Sequence, residues 1–190
     1  MIKLNLGSGW DYRPGYVNVE HPRLEGRVKA DLWVDLEQPC CLGAFDNNSV
    51  DGILCSHTLE HLDNLENVID ECWRVLKPGA KLLIVVPHAS TPALAFGDMT
   101  HKHYFTLNAF RHLANGEKCS YYNSRHWRLK GRLRWRKMCK PGIYAVINWL
   151  SWPVDAVINT NPLIQQIVET YLNYVFMGFN EVEVELEPVK

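Results

Sequence analysis

Two glycines flank a serine at Gly7-Ser8-Gly9, directly after a short apolar run, and a carboxylate follows at Glu20. Glycines let a backbone come close to a ligand, and a carboxylate can accept hydrogen bonds from two neighbouring hydroxyls, such as those of a ribose. The phosphate-binding dinucleotide fingerprint needs a third glycine three residues after the second and an acid ~20 residues downstream. Tyr12 stands at the third position, and Glu20 comes too early. The spacing disfavours a nicotinamide and suits a nucleoside-bearing ligand that lacks phosphates.

A second string, His57-Thr58-Leu59-Glu60-His61, has the H-x-x-E-H form of an inverted zinc-protease motif. Zinc would need both histidines on one helical face and a third ligand. Here the string follows a buried strand, and Leu59 and Leu62 are spaced for packing, so it reads as the start of a helix and no metal is expected. A third group lies in Gly97-Asp98-Met99-Thr100-His101-Lys102-His103-Tyr104-Phe105.

The elements that must hold these groups alternate between strand and helix. Ile2 to Leu6 and Tyr16 to Val19 read as short strands, with room for at most a helical turn over Trp10 to Gly15. A third strand is expected over Val28 to Val34. Asp46 to Ser49 is a turn before a buried strand, Val50 to Cys55. Leu65, Val68, Ile69, Cys72, Val75 and Leu76 form one apolar helical face over about Asn64 to Leu76, which Lys77-Pro78-Gly79 stops. Lys81 to Val86 is an aliphatic run typical of a strand covered on both faces. Together these predict a mostly parallel α/β sheet.

The last third differs. Basic residues alternate with Leu129, Gly131, Leu133 and Trp135 over Arg128 to Arg136, and glutamates alternate with Val182, Val184 and Leu186 over Glu181 to Glu187. Two strands with opposite charges on one face are expected to pair antiparallel. The intervening Pro141 to Phe179 reads as a helical excursion.

The 190 residues fit one domain, 47% are hydrophobic, and the net charge of −1 gives no global attraction to nucleic acid or anionic membrane. The basic stretch from Arg125 to Lys140 is the local exception, holding eight of twenty Lys and Arg. None of the six cysteines forms a C-x-x-C pair, and the chain starts Met1-Ile2-Lys3-Leu4 without a signal peptide, so reduced thiols and a cytoplasmic location are expected. Ile143 to Ile158 is too polar to span a bilayer.

Leu4 to Gly9, Val17 to Glu20, Asp35-Leu36, Asp46 to Asp51, Ser56 to Leu62 and Leu76 to Ala80 resemble, in order, the successive motifs of class I, Rossmann-like S-adenosylmethionine-dependent methyltransferases. The likeness is greatest to the small type 11-like group found in sugar and surface-polysaccharide gene neighbourhoods, and covers roughly residues 2 to 115. It implies a single methyltransferase domain over residues 1–190, with 141–179 inserted before the last strand.

On that resemblance Gly7, Ser8 and Gly9 pass under the methionine part of the cofactor, and Glu20 binds its ribose. Asp35 and Leu36 lie beside adenine, and Ser56 and His57 border the sulfonium. Asn5 stands where the family often has an acid, which alters the polar network near the cofactor. Methyl transfer to a hydroxyl is an in-line displacement that also needs a base. His101 is the first candidate, followed by His103 and His57, with Asp98 to orient whichever acts.

The implied activity is O-methylation of a small molecule or a sugar or glycoconjugate hydroxyl. Nucleic acid is not the favoured partner, and a homodimer is admitted. The rival readings are a nucleic-acid methyltransferase using residues 125–140 and a non-catalytic cofactor-binding module.

Overall fold

The computed structural model describes residues 1–91, 95–114, 125–134, 153–172 and 179–190. Their centre is a sheet in the order β3-β2-β1-β4-β5-β7-β6. Its strands are β1 (Lys3–Leu6), β2 (Val17–Glu20), β3 (Leu32–Trp33), β4 (Val50–Ser56), β5 (Leu76–Pro87), β6 (His126–Arg134) and β7 (Glu181–Val189). The first five run parallel, and β7 lies antiparallel between β5 and β6. Leu4 and Leu6 of β1, Ile84 and Val86 of β5, and Val182, Val184 and Leu186 of β7 are buried, so the apolar alternation read from sequence is what seats the strands in the core.

The third strand is shorter than expected. Arg27 and Val28 donate their amides back to Leu24 across a turn in which Gly26 has φ +78, so those residues are unavailable for the sheet. Pairing begins only where Asp31 donates to Asn18 O and ends where Val34 donates to Glu20 O. The β5 strand starts earlier than expected, at Leu76. Its Lys77 to Ala80 stretch bulges out between the registers Val50–Leu76 and Gly52–Lys81.

The charge alternation placed the last two strands correctly. Arg128 lies opposite Glu187 and Arg134 opposite Glu181, with Arg128–Glu187 and the diagonal Arg134–Glu183 forming ion pairs at 2.7 and 2.5 Å. Arg136, at the expected end of β6, lies outside the described residues.

Most of the excursion's described residues are helical. A helical stretch at residues 153–158 precedes Asn161, whose side chain caps the α-helix Pro162–Ile167, and a π-helical turn, Val168–Leu172, follows. Residues 141–152 and 173–178 lie outside the described part. The side-chain amide of Asn159 both accepts from Leu133 N and donates to Leu133 O, and Gln165 donates to Gly131 O. Edge strand β6 is thereby paired by side chains along part of its open side.

Helix α1 (Leu65–Val75) is capped by Asn64, whose side chain accepts from Asn67 N, and buries Val68, Ile69, Cys72 and Val75. Its half-turned face also buries Glu71, which takes Arg74 Nε at 2.7 Å and Nη2 at 2.9 Å and accepts from Leu42 N at 3.2 Å. These bonds, Arg74 foremost, hold the Glu71 carboxyl below its ordinary range. A depressed carboxyl contributes stability at neutral pH that fades as the group is protonated below the ordinary glutamate range. Glu71→Gln is therefore expected to destabilise the fold by about 1–3 kcal/mol at pH 7. The gap from the parent should narrow as pH falls below about 4.5, which urea denaturation at pH 7 and in acid would measure.

Candidate functional site

The carboxyl ends of β1, β2 and β4 meet at one rim, where ligands bind in open parallel sheets. A cleft of about 660 Å³ opens there, lined by Gly7, Gly9, Glu20, Asp35, Leu36 and His57 among the expected residues, and also by His21, Thr58, His61 and Lys102. Asn5, Ser8, Ser56, His101 and His103 are not on its lining.

The floor turns sharply after β1, with Gly7 at φ +63 and Gly9 at φ +49. A Cβ on Gly7 would collide with Thr58, whereas one on Gly9 would enter open space. Gly7 is thus demanded by packing as well as backbone, and Gly9 leaves room that a ligand can fill. Behind this turn no helix forms between β1 and β2. Buried Asn5 donates to Asp11 O and to Asn18 Oδ1, while Asn18 Oδ1 accepts from Arg13 N and Asn18 Nδ2 donates to Arg13 O and Tyr16 O. The two amides satisfy the loop's backbone groups in place of a helix. Asn18 was missed because its role depends on pairing across strands, and an isolated Asn in a strand carries no such signal.

Glu20 closes β2 with its carboxylate in the cleft. Oε2 accepts from Gly9 N at 2.6 Å and Oε1 from His21 N at 2.7 Å. Each carboxylate oxygen has further acceptor capacity, so a fixed carboxylate can still take two ligand hydroxyls.

The next wall is the loop after β3. Asp35 accepts from Glu37 N and from Gln38 Nε2, bonds that lower its carboxyl's pKa, and His21 Nε2 stands 3.6 Å from its Oδ1. Glu37 accepts from Asp63 N and Asn64 N, and Lys102 reaches both Asp63 at 2.5 Å and Glu37 at 3.5 Å. This latch ties the loop after β3 to the start of α1 and to the segment carrying His101.

At the end of β4, His57 has φ +52, an uncommon conformation for a residue with a side chain. It points Nε2 at Glu181 Oε1, 3.2 Å away, and Nδ1 at Glu60 Oε1, 3.3 Å away. The ring's pKa is pushed up to about 9, first by Glu181 and then by Glu60. A ring so held is a cation at neutral pH and lacks the lone pair of a general base.

His101 keeps such a lone pair when neutral. Its Nδ1 is 2.9 Å from Ala95 O, and a carbonyl can only accept, so the proton sits on Nδ1 and leaves Nε2 bare. The ring packs edge-on against His61, with centroids 4.8 Å apart, and of these two rings it is His61 that reaches the cleft wall. His103 lies against Phe105, and its Nε2 is buried without a partner.

Residues 11–84 match a family described as a methyltransferase domain. The fold is shared with an S-adenosylmethionine-dependent methyltransferase from Archaeoglobus fulgidus, at TM-score 0.61 and 18% identity over 98% of this chain and 85% of that one. One from Mesorhizobium loti gives TM-score 0.53 at 10% identity, over 97% and 89%. Haemonchus contortus phosphoethanolamine N-methyltransferase 2, in complex with S-adenosyl-L-methionine, gives 0.50 at 13% identity, over 100% of this chain and 49% of that one. No curated protein matches the chain in sequence.

Residues 11–84 thus carry a matched methyltransferase domain, and the mostly parallel sheet with its antiparallel last pair is the Rossmann-like fold shared with those structures. The first two of these structures are of S-adenosylmethionine-dependent methyltransferases, and the third holds S-adenosyl-L-methionine. The cleft fits that cofactor in two respects: the floor at Gly9 is open, and an acid stands at the end of β2. No helix among the described residues is long and apolar enough to cross a membrane, and the four cysteines described there, Cys40, Cys41, Cys55 and Cys72, are free thiols.

Proposed function

We propose that the chain, acting as one domain, transfers the methyl group of S-adenosylmethionine to a hydroxyl of a small molecule or sugar. The observation that carries the site assignment is Glu20, whose carboxylate is pinned by two backbone amides while still facing the cleft. In this reading Glu20 takes the ribose hydroxyls, and Gly7, Ser8 and Gly9 underlie the methionine part. Asp35 and Leu36 flank adenine, and Ser56 and His57 border the sulfonium. When bound, S-adenosylmethionine supplies an electrophilic methyl whose leaving group needs no proton.

The chain's own work is to hold the acceptor oxygen in line and to receive its proton. His57 serves the first task as a fixed cation between two carboxylates. The proton leaves on the side of His61, where the Glu60, His61 and His101 cluster stands. A basic nucleic-acid track along β6 is disfavoured because Glu187 and Glu183 already engage Arg128 and Arg134.

Titration calorimetry should show one S-adenosylmethionine per chain, and labelled methyl should pass to hydroxyl-bearing sugars and not to RNA or DNA. Absence of cofactor binding would end the site assignment. Labelling of nucleic acid, with binding that weakens steeply as salt rises, would replace the acceptor class.

A further inference from the structure

We propose that Glu60, His61 and His101 form a site for one divalent transition-metal ion of the zinc class. One potential ligand atom from each residue lies within 4.8 Å of the others. Ligands on a tetrahedral zinc, bonded at 2.0–2.1 Å, are about 3.3 Å apart, so side-chain rotations on the order of 1 Å would close the site.

Three independent features point to a cation there. Glu60 is 1% exposed, yet neither carboxylate oxygen has a hydrogen-bond donor; Oε1 only faces His57 Nδ1 at 3.3 Å, without hydrogen-bond alignment. The His57 cation faces only Oε1, so Oε2 of this buried carboxylate is left for a second cation.

Both rings also have the tautomer that a metal requires. His101 Nδ1 donates to Ala95 O. Thr100 Oγ1 gives its single proton to the Asp98 carboxylate at 2.7 Å, so at 3.0 Å from His61 Nδ1 it must accept. Each histidine thus spends Nδ1–H on an oxygen partner and keeps an Nε2 lone pair, the arrangement that commonly orients metal-bound histidines.

Finally, the backbone is braced. Lys102 N and His103 N both donate to Glu60 O, which fastens the segment bearing His101 to the turn bearing Glu60 and His61. Asp98 Oδ2, 4.0 Å from His101 Nε2, offers a further oxygen ligand beside the cluster. One carboxylate and two imidazoles suit zinc and its neighbours in the first transition row, and three protein ligands leave a position for water or an acceptor oxygen. The H-x-x-E-H string reads in sequence as a helix start and packing with no metal expected; in the fold its Glu60 and His61 gain their third partner from the loop after β5, not from His57.

The site stands on this geometry; only its use in activating a hydroxyl rests on the function proposed above. The test is zinc chloride titrated calorimetrically into full-length protein stripped by chelator, with no methyl transfer measured. One ion per chain is expected, with affinity falling about tenfold or more in Glu60→Gln and in His101→Gln. X-ray absorption on the zinc-loaded parent should show two imidazoles with oxygen and no sulfur, which decides the matter even if a variant misfolds. No uptake, a sulfur ligand, or unchanged affinity in both folded variants would overturn the site.

Discussion

Replacing Glu20 by alanine is expected to weaken S-adenosylmethionine binding by about 1–3 kcal/mol, roughly 5- to 150-fold, while the protein stays folded. The size follows from two losses. A bound ribose would give up charge-assisted hydrogen bonds, and the floor would give up its anchor, because Gly9 N and His21 N both end on this carboxylate. Glutamine separates the two. It keeps one acceptor oxygen for one amide but turns an NH₂ toward the other, so Glu20→Gln should fall close to alanine. Aspartate keeps the charge on a shorter arm that cannot hold both amides and still reach the ligand, and should lie between parent and alanine. Calorimetry on the three variants reads the order directly, and equal affinities throughout would remove Glu20 from the site.

How much of this was legible in the sequence depends on whether a feature is local. The aliphatic run in β5 and the alternating charges of β6 and β7 announce themselves because each strand's own pattern states which face is buried. The third strand did not, since a turn around Gly26 claims amides that the apolar pattern seemed to offer the sheet. The same division runs through the cleft. Gly7, Gly9, Glu20, Asp35, Leu36 and His57 stand at strand ends and line it. Asn18, Thr58 and the Glu37–Lys102–Asp63 latch owe their roles to residues far along the chain, which no spacing rule reports. For the histidines, the H-x-x-E-H string suggested only the start of a helix and packing. The 3₁₀ turn at Leu59–His61 and the φ of +52 at His57 instead send His57 to Glu181, and His61 packs against His101.

The two floor glycines should respond unequally to alanine, and the contrast tests the local geometry more sharply than either alone. At Gly7 the new Cβ would sit 2.5 Å from Thr58 Cγ2 and 2.9 Å from Thr58 Cβ, with φ at +63. Thr58 is buried and its hydroxyl donates to Leu6 O, so it cannot swing aside without leaving that carbonyl unmet. Left-handed backbone costs about 1–3 kcal/mol. Overpacking adds about 1–3 kcal/mol more. Gly7→Ala should therefore lower unfolding free energy by roughly 3–5 kcal/mol, a large part of a typical domain's stability. Gly9→Ala meets nothing within 4 Å and carries the backbone cost alone, so it should fold nearly normally and show its defect in cofactor affinity, where the methyl occupies ligand space. Thr58→Ala supplies the decisive control. Removing Oγ1 and Cγ2 relieves most of the collision but none of the backbone strain, so Gly7→Ala should cost about 1–3 kcal/mol less in that background. Additive losses in the double variant would mean that Thr58 does not set the shape of the floor.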